Sequence, residues 1–259
     1  SLLQPRAVLA MGGFTAAAPI WAGRRIGAAT FLHESNTIPG RANRLLARSA
    51  DEVFVGFEAA TRHFRGCASV TGTPVRAAFR KQSSTNNEPL LLVTGGSQGA
   101  RAINRLVVEA KLTDLPILHL CGEHDLDEVK TAYAKHSAPA EIHAFYKDMP
   151  SALARASLVI SRAGASSLAE LAAARGPAIL IPLPNAVDDH QRANARAAEQ
   201  SGGAIVLEQD EIKPDDLAKL VRVLMDDPVR LKKMAKAIRV LDASESARHI
   251  AGRILERLG

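Results

Sequence analysis

The chain has 259 residues, 47% hydrophobic and 23% charged, enough for one large or two modest domains with real cores. Lys and Arg number 33 against 27 Asp and Glu, and this formal charge of +6 suits polyanions, anionic lipid or phosphorylated ligands as well as a solvated basic face. No aromatic-interleaved basic run points to nucleic acid, no apolar run reaches transmembrane length, and Cys67 and Cys121, without CxxC or CxxH partners, read as buried thiols.

In chain order, residues 7–10 read as a strand running into Met11-Gly12-Gly13-Phe14-Thr15, followed by a helix of small residues to Trp21. The next expected strand, 26–32, ends in the loop His33-Glu34-Ser35-Asn36 and the turn Pro39-Gly40. A short basic helix over 41–48 and strands over 52–55 and 67–70 lead to Thr71-Gly72-Thr73-Pro74-Val75-Arg76. These are too few strands for an independent sheet. Residues 80–88 are polar and aperiodic, and read as a linker. From Leu90 onward, strands at 90–94, 115–120, 141–144, 157–160, 178–182 and 203–207 alternate with helices at 100–110, 125–135, 149–155, 166–174, 188–200 and 214–225. That is a doubly wound parallel sheet of the α/β class, with closing helices at 229–241 and 244–258. The chain begins Ser-Leu-Leu-Gln, without a methionine, and its start reads as cut.

Ligands of such sheets sit beyond the C-terminal ends of the strands or between lobes. The glycine turns at 12–13, 95–99 and 164 and the loop at 33–36 all fall at predicted strand ends. In Gly95-Gly96-Ser97-Gln98-Gly99, unpaired N–H groups and the positive end of a helix dipole would seat a phosphate or diphosphate. The same residues spell the nucleophile elbow G-x-S-x-G, with Ser97 attacking and Asp188, Asp189 and His190 offered as partners. That fold, however, draws its acid and histidine from separate loops. In the run 161–170, Ser166 or Ser167 reads as a helix cap. Glu170 then either accepts from ribose hydroxyls or complements the helix dipole. Gln191 and Asn194, three residues apart, share one helix face and suit either a hydroxyl-rich ligand or a solvated helix start. Asp125-Leu126-Asp127 resembles a metal–diphosphate DxD pair but also fits plain helix-start acids, and no other cluster has metal-ligand spacing. His33, Glu34 and Asn36 suit either acid–base chemistry or hydrogen bonding within their loop. Trp21 with Arg24, Arg25, Arg41, Arg44 and Arg48 makes the first segment basic and partly apolar, a membrane-contact surface or a solvated face.

Taken in order, these turns resemble one family. They are Met-Gly-Gly-Phe at 11–14, His-Glu-Ser-Asn-x-x-Pro-Gly-x-x-Asn at 33–43, Gly-x-Pro-Val-Arg at 72–76 and Gly-Gly-Ser-Gln-Gly-Ala at 95–100. Phe-Tyr-Lys-Asp-Met at 145–149, Ser-Arg-Ala-Gly-Ala at 161–165 leading to Glu170, and Asp-x-Gln-x-x-Asn at 189–194 complete the set. The set is similar to the MurG family, UDP-N-acetylglucosamine transferases that complete lipid II for bacterial peptidoglycan. The resemblance implies a GT-B type α/β fold, two Rossmann-like lobes with parallel sheets and the first lobe incomplete. It implies an inverting transfer with no metal ion and no cofactor. Residues 1–75 would be the latter part of an acceptor lobe, 76–240 the UDP-sugar donor lobe, and 241–259 a helix returning to the first lobe.

Carried over by motif, Gly96, Ser97, Gln98 and Gly99 would hold the donor diphosphate with Arg76 near it, and Gly164 and Ala165 would belong to the same site. The Tyr146 backbone would recognise uracil, Glu170 would bind ribose, and Gln191 and Asn194 would read the sugar hydroxyls. Gly12, Gly13 and Phe14 would receive the acceptor diphosphate, with His33, Glu34 and Asn36 facing the cleft from the acceptor side. The implied partners are UDP-GlcNAc, the undecaprenyl-diphosphate-linked muramyl-pentapeptide and an anionic membrane surface, at the cytoplasmic face of the bacterial plasma membrane. No nucleic acid is implied. The family's opening Gly-Gly-x-Gly-Gly-His loop, whose histidine is a leading catalytic candidate, is absent here. The base is therefore expected in that missing loop, with Glu34 the candidate among the residues present. The chain alone is expected to bind UDP-sugar weakly and transfer little. Ser35 in the His-Glu-x-Asn loop and His190 before Gln191 also depart from the pattern. Competing readings are a nucleotide-sugar-binding subunit that needs a partner, another GT-B glycolipid transferase or epimerase, and a serine hydrolase using Ser97.

Overall fold

The computed structural model describes residues 4–80, 88–96, 100–136, 139–184 and 186–259. Two all-parallel sheets organise them. The first has four strands, β1 (Ala7–Ala10), β2 (Ala29–Glu34), β3 (Glu52–Val55) and β4 (Ala68–Val70), in that spatial order. The expectation that this part lacks an independent sheet was wrong: the four strands pair only with one another. A parallel sheet needs cover on both faces. One face packs on Ile20 from helix α1 (Ala17–Arg25), on Leu46 from helix α2 (Arg41–Leu46), and on Ala60 and Phe64 from the turns after β3. On the other face Phe31 and Phe54, stacked at 5.7 Å, meet Ile250 from the far end of the chain.

The strand expected at 26–32 runs over Ala29–Glu34 instead. Gly27, at φ +77°, turns the chain after helix α1 (Ala17–Arg25), so the strand starts late. It then continues through His33 and Glu34, because these pair in register with Phe54 and Val55 of β3.

The second sheet has six strands in the order β10-β9-β8-β5-β6-β7. They are β5 (Leu91–Thr94), β6 (Ile117–Leu120), β7 (Ala140–His143), β8 (Leu158–Ser161), β9 (Ala178–Leu180) and β10 (Ala204–Val206). Strand period 2 sends Leu91, Val93, Ile117, Leu158, Ile160 and Ile179 to one core, and Leu92, Leu118, Val159, Ala178 and Leu180 to the other. Helices α3 (Arg101–Glu109), α4 (Leu126–Lys135), α8 (Pro214–Met225) and α9 (Pro228–Ile238) cover the first of these faces. Helices α5 (Met149–Arg155), α6 (Ala165–Ala174) and α7 (His190–Gln200) cover the second. Each Leu, Ile or Val fully buried there contributes roughly 1.5–3 kcal/mol. Local signals fix several helix starts. Asp148 accepts from the Ser151 N–H at 3.1 Å to begin α5, and Asp227 accepts from the Arg230 N–H at 2.8 Å to begin α9, each with a proline in the first turn.

The chain passes between the lobes at 71–76 and returns at 241–246, where it enters α10 (Ser246–Leu258). Helix α10 lies on the first sheet through Ile250, and Arg253 pairs with Glu52 at 2.9 Å. The two crossings touch. Gly72, at φ +76°, accepts at its carbonyl from Ser246 Oγ at 2.9 Å. A Cβ at Gly72 would fall 1.9 Å from the Ala243 Cβ. Among the described residues no helix is long and apolar enough to cross a membrane. Cys121 is buried and Cys67 is half-buried, not fully buried as the sequence reading expected.

Candidate functional site

From β5 the second lobe winds outward to β6 and β7, then returns past β5 to lay down β8, β9 and β10. The winding reverses between β5 and β8, and there the loops beyond the strand ends diverge and leave a crevice. A cavity of about 330 Å³ occupies it, with Thr94, Gly96 and Ser161 at the strand ends and Arg76, Tyr146, Ser166, Ser167 and Glu170 around them. Burial pushes the Glu170 carboxyl above the ordinary glutamate range, and the charge of Arg76 acts the other way. The Arg76 guanidinium lies 5.0 Å from the Phe79 ring centroid. Tyr146 meets His143 edge-on, with ring centroids 5.2 Å apart, and its hydroxyl accepts from Arg155 at 3.4 Å. Its side chain is thus occupied on the protein side.

Helix α6 starts at this cavity. Its N-cap is Gly164 in an extended conformation, with no side-chain capping bond. The expectation that Ser166 or Ser167 caps the helix fails: both lie inside the first turn and line the cavity. The leading amides of a ten-residue helix are thereby left without a capping side chain, at the positive end of its dipole. Helix α3 likewise starts without a side-chain cap, from Ala100. Ser97, Gln98 and Gly99, which precede it, lie outside the described residues.

A second cavity, about 320 Å³, lies beyond the C-terminal ends of β1 and β2, between Met11–Phe14 and the loops at 33–36 and 40–43. Gly12, at φ +92°, comes so close to Asn43 that a Cβ would stand 3.1 Å from its Nδ2. Phe14 is 88% exposed at the rim. Two residues expected to act here, and one expected on the donor side, are committed elsewhere. The His33 ring is fully buried, its Nε2 donating to the Gly72 carbonyl at 2.9 Å and its Nδ1 accepting from the Ser35 hydroxyl at 3.3 Å. Burial lowers its pKa, against the Gly72 bond and the charge of Glu34. Glu34, the candidate base, is buried and saturated. One oxygen accepts from the Asn36 backbone at 2.8 Å and side chain at 3.0 Å, the other from the Gly40 N–H at 3.0 Å and Asn43 at 2.7 Å. A carboxylate holding four donors shapes a loop.

Asn194 is the third. Its side chain is fully buried, and its Oδ1 accepts from the Thr37 N–H at 2.9 Å. Its Nδ2 donates to Asn36 Oδ1 at 3.1 Å and to the Ala163 carbonyl at 3.2 Å. Both amide hydrogens are thus engaged within the protein. Gln191, one turn earlier on α7, accepts from the Leu183 N–H at 3.0 Å and stays partly exposed. Helix α7 starts at His190 rather than at 188, because Asp188 and Asp189 are both left-handed, at φ 54° and 53°. In that conformation Asp188 pairs with Arg44 at 2.9 Å, across the lobes. The DxD reading also fails at Asp125, whose carboxylate is held by Arg101 at 2.9 Å and Asn104 at 2.8 Å.

Sequence reasoning passed over Arg162, Phe145 and His119. Buried Arg162 donates to the carbonyls of Ile181 and Pro182, each at 3.0 Å, and to Gln209 at 2.7 Å, fixing the loop that leads to Gln191. Its signal was an arginine inside an otherwise small-residue turn. Phe145 is 67% exposed at the cavity mouth, offering a flat apolar face beside Tyr146. His119, on β6, gave no local signal. It bonds Tyr133 and Asn104, each at 3.0 Å, and Asn104 passes the network to Asp125 and so to Arg101 at the start of α3.

Comparisons with known proteins agree with this arrangement. Residues 90–254 match the glycosyltransferase family 28 C-terminal domain, and residues 2–55 match the N-terminal domain of the same family. The chain is similar to proteins named UDP-N-acetylglucosamine--N-acetylmuramyl-(pentapeptide) pyrophosphoryl-undecaprenol N-acetylglucosamine transferase. The one from Geobacter sulfurreducens is 38% identical over 261 residues, 95% of this chain and 72% of that protein. The one from Xanthomonas oryzae pv. oryzae is 39% identical over 267 residues, 99% of this chain and 60% of that protein. The crystal structure of Acinetobacter baumannii MurG superposes with a TM-score of 0.81 at 30% identity, covering 97% of this chain and 73% of that one.

Proposed function

Because this chain belongs to the MurG family within the family 28 glycosyltransferases, we propose that it takes part in transferring N-acetylglucosamine from UDP-N-acetylglucosamine to an undecaprenyl-diphosphate-linked N-acetylmuramyl-pentapeptide. The observation that carries the reading for this chain is the crevice at the switch point. It brings a half-buried carboxylate, an arginine and an uncapped helix N-terminus around one cavity of about 330 Å³.

In this reading the diphosphate lies against the first-turn amides of α6, with the start of α3 opposite. Glu170 accepts from the ribose hydroxyls, and the Phe145–Tyr146 segment borders the base. As the bond from the sugar to the diphosphate breaks, negative charge grows on the leaving group. Fixed N–H groups and the helix dipole stabilise it without reorganising, and Arg76 adds a mobile positive charge. The acceptor lies along the Met11–Phe14 turn and the 33–43 loop. In this reading Glu34, whose four hydrogen bonds are already made, organises that loop rather than serving as the base for the acceptor hydroxyl.

Peripheral contact with an anionic bilayer is part of the proposal. Its support is the outward exposure of Met11, Phe14, Trp21, Ile26 and Leu45 alongside Arg24, Arg25, Arg41 and Arg48. A cytoplasmic-face location follows from the substrate chemistry. The hydrolase reading is not favoured, since Asp188 and Asp189 are ion-paired with Arg44 and Arg192. The binding-subunit, epimerase and other-transferase readings have no observation in their favour.

Calorimetry of the 259-residue chain with UDP tests the donor site. UDP is expected to bind, and Glu170→Ala to weaken it by about 10-fold to 100-fold, the scale of hydrogen bonds to a charged group. Equal affinity of both proteins for UDP would refute the assignment of the crevice.

A further inference from the structure

We infer that Asn194 is a positioning residue through which the second lobe sets the shape of the acceptor-side loop, so that the two ligand sites are coupled. The inference rests on the donor and acceptor assignments above and adds a connection between them.

Three segments meet at one side chain. Asn194 holds the Ala163 carbonyl, immediately before the turn that starts α6 at the donor cavity. It is carried by α7, one turn beyond Gln191. Across the lobe boundary it accepts from the Thr37 N–H and donates to Asn36. Asn36 in turn gives its backbone and side-chain N–H groups to Glu34, which also gathers Gly40 and Asn43. A continuous run of hydrogen bonds thus passes from the donor turn to the wall of the acceptor cavity, and Asn194 is where it changes lobe. Its amide makes contacts 157 and 158 residues away in the chain.

The four apolar clusters share no member, and α7 is anchored by Ala195 and Ala198 in the core of its own lobe. Two of the three hydrogen bonds of the amide are spent on relating the lobes. Alongside it, Arg44 and Arg41 pair with Asp188 at 2.9 and 3.7 Å, but those arginine side chains are 40% and 80% exposed. Screening makes them secondary to the buried amide. A displacement of α7 or of the Ala163 turn must move Asn36 or break its bond, and this discrete choice is what couples two sites.

The test uses the full chain with dyes attached through Arg25→Cys on α1 and Lys232→Cys on α9, in a Cys67→Ser background. Single-molecule energy transfer then reads the distance between lobes. The protein with Asn194 intact is expected to give a narrow distribution that shifts on adding UDP. Asn194→Ala is expected to broaden it and abolish the UDP response, while UDP affinity by calorimetry stays within twofold. Asn36→Ala, which leaves the second lobe untouched, is expected to do the same and stands in should Asn194→Ala fail to fold. An unchanged distribution and UDP response in the variants would overturn the inference, as would a tenfold loss of affinity for UDP or for UDP-N-acetylglucosamine in Asn194→Ala, which would make the residue a direct ligand contact. Should the intact protein bind no UDP, the donor-site reading falls, and the ligand-free distributions still decide whether Asn194 joins the lobes.

Discussion

Gly72→Ala tests whether the place where the chain changes lobes is as tightly built as its contacts require. Gly72 sits at φ +76°, and an added Cβ would lie 1.9 Å from the Ala243 Cβ and 3.3 Å from its Cα. Two costs follow. An L-residue in the left-handed region loses about 1–2 kcal/mol. Overpacking against a backbone that cannot swing aside adds about 1–3 kcal/mol. Together, at about 2–4 °C per kcal/mol for a chain of this size, Tm should fall by on the order of 10 °C. Gly27→Ala is the internal control, because Gly27 has φ +77° but nothing within 4 Å of an added Cβ. It carries the backbone cost alone, about 1–2 kcal/mol, and a drop of only a few degrees. Thermal unfolding followed by circular dichroism reads both. Equal melting temperatures for the two variants would show that the crossing relaxes freely, and the steric argument would be wrong.

Two pH dependences follow from burial. His119 is held down at about 4, so as pH falls below 6.5 the unfolded chain takes up a proton that the folded one refuses. Stability is then fully present above pH 6.5 and is lost toward pH 4, at up to about 1.4 kcal/mol per pH unit, with buried His33 acting in the same direction. Urea titrations at several pH values should show a shallower acid limb for His119→Gln, and superimposable limbs would contradict the assignment. Glu170 is shifted upward by burial, so UDP-GlcNAc affinity should begin to fall, on acidification, at a higher pH than an ordinary carboxylate would allow. Calorimetry with UDP-GlcNAc, which lacks a terminal phosphate titrating near pH 6, should show that fall, and Glu170→Gln should bind weakly with no pH dependence. A flat profile for the unmodified protein would remove Glu170 from the site.

Element order was legible because local rules govern it. The apolar run Leu91–Val93 and the capping pairs Asp148–Pro150 and Asp227–Pro228 carry their structure in adjacent residues. Glycine turns at strand ends pointed to both cavities for the same reason. Commitments made at long range were not legible. Glu34 reads as a cleft carboxylate until Gly40 and Asn43 close on it, and Asn194 reads as a sugar contact until Asn36 and Thr37 arrive from the other lobe. The His33 ring is engaged within the protein because a carbonyl 39 residues on claims it. Counting strands alone left the first sheet too small to stand by itself, whereas the resemblance implied a lobe there, and Ile250 from the end of the chain covers one of its faces.

The contact between the two crossings has a mechanical meaning. Gly72 and Ala243 lie against each other, and Ser246 ties the second crossing to the carbonyl of the first. Two covalent connections pinned side by side have the layout of a door hinge rather than of a tether, with Gly72 and Ala243 at the pin. The fastenings between Asn36 and Asn194 and between Arg44 and Asp188 join the two leaves away from the pin. By leverage, a small turn about Gly72 would open a larger gap at those fastenings than at the pin itself.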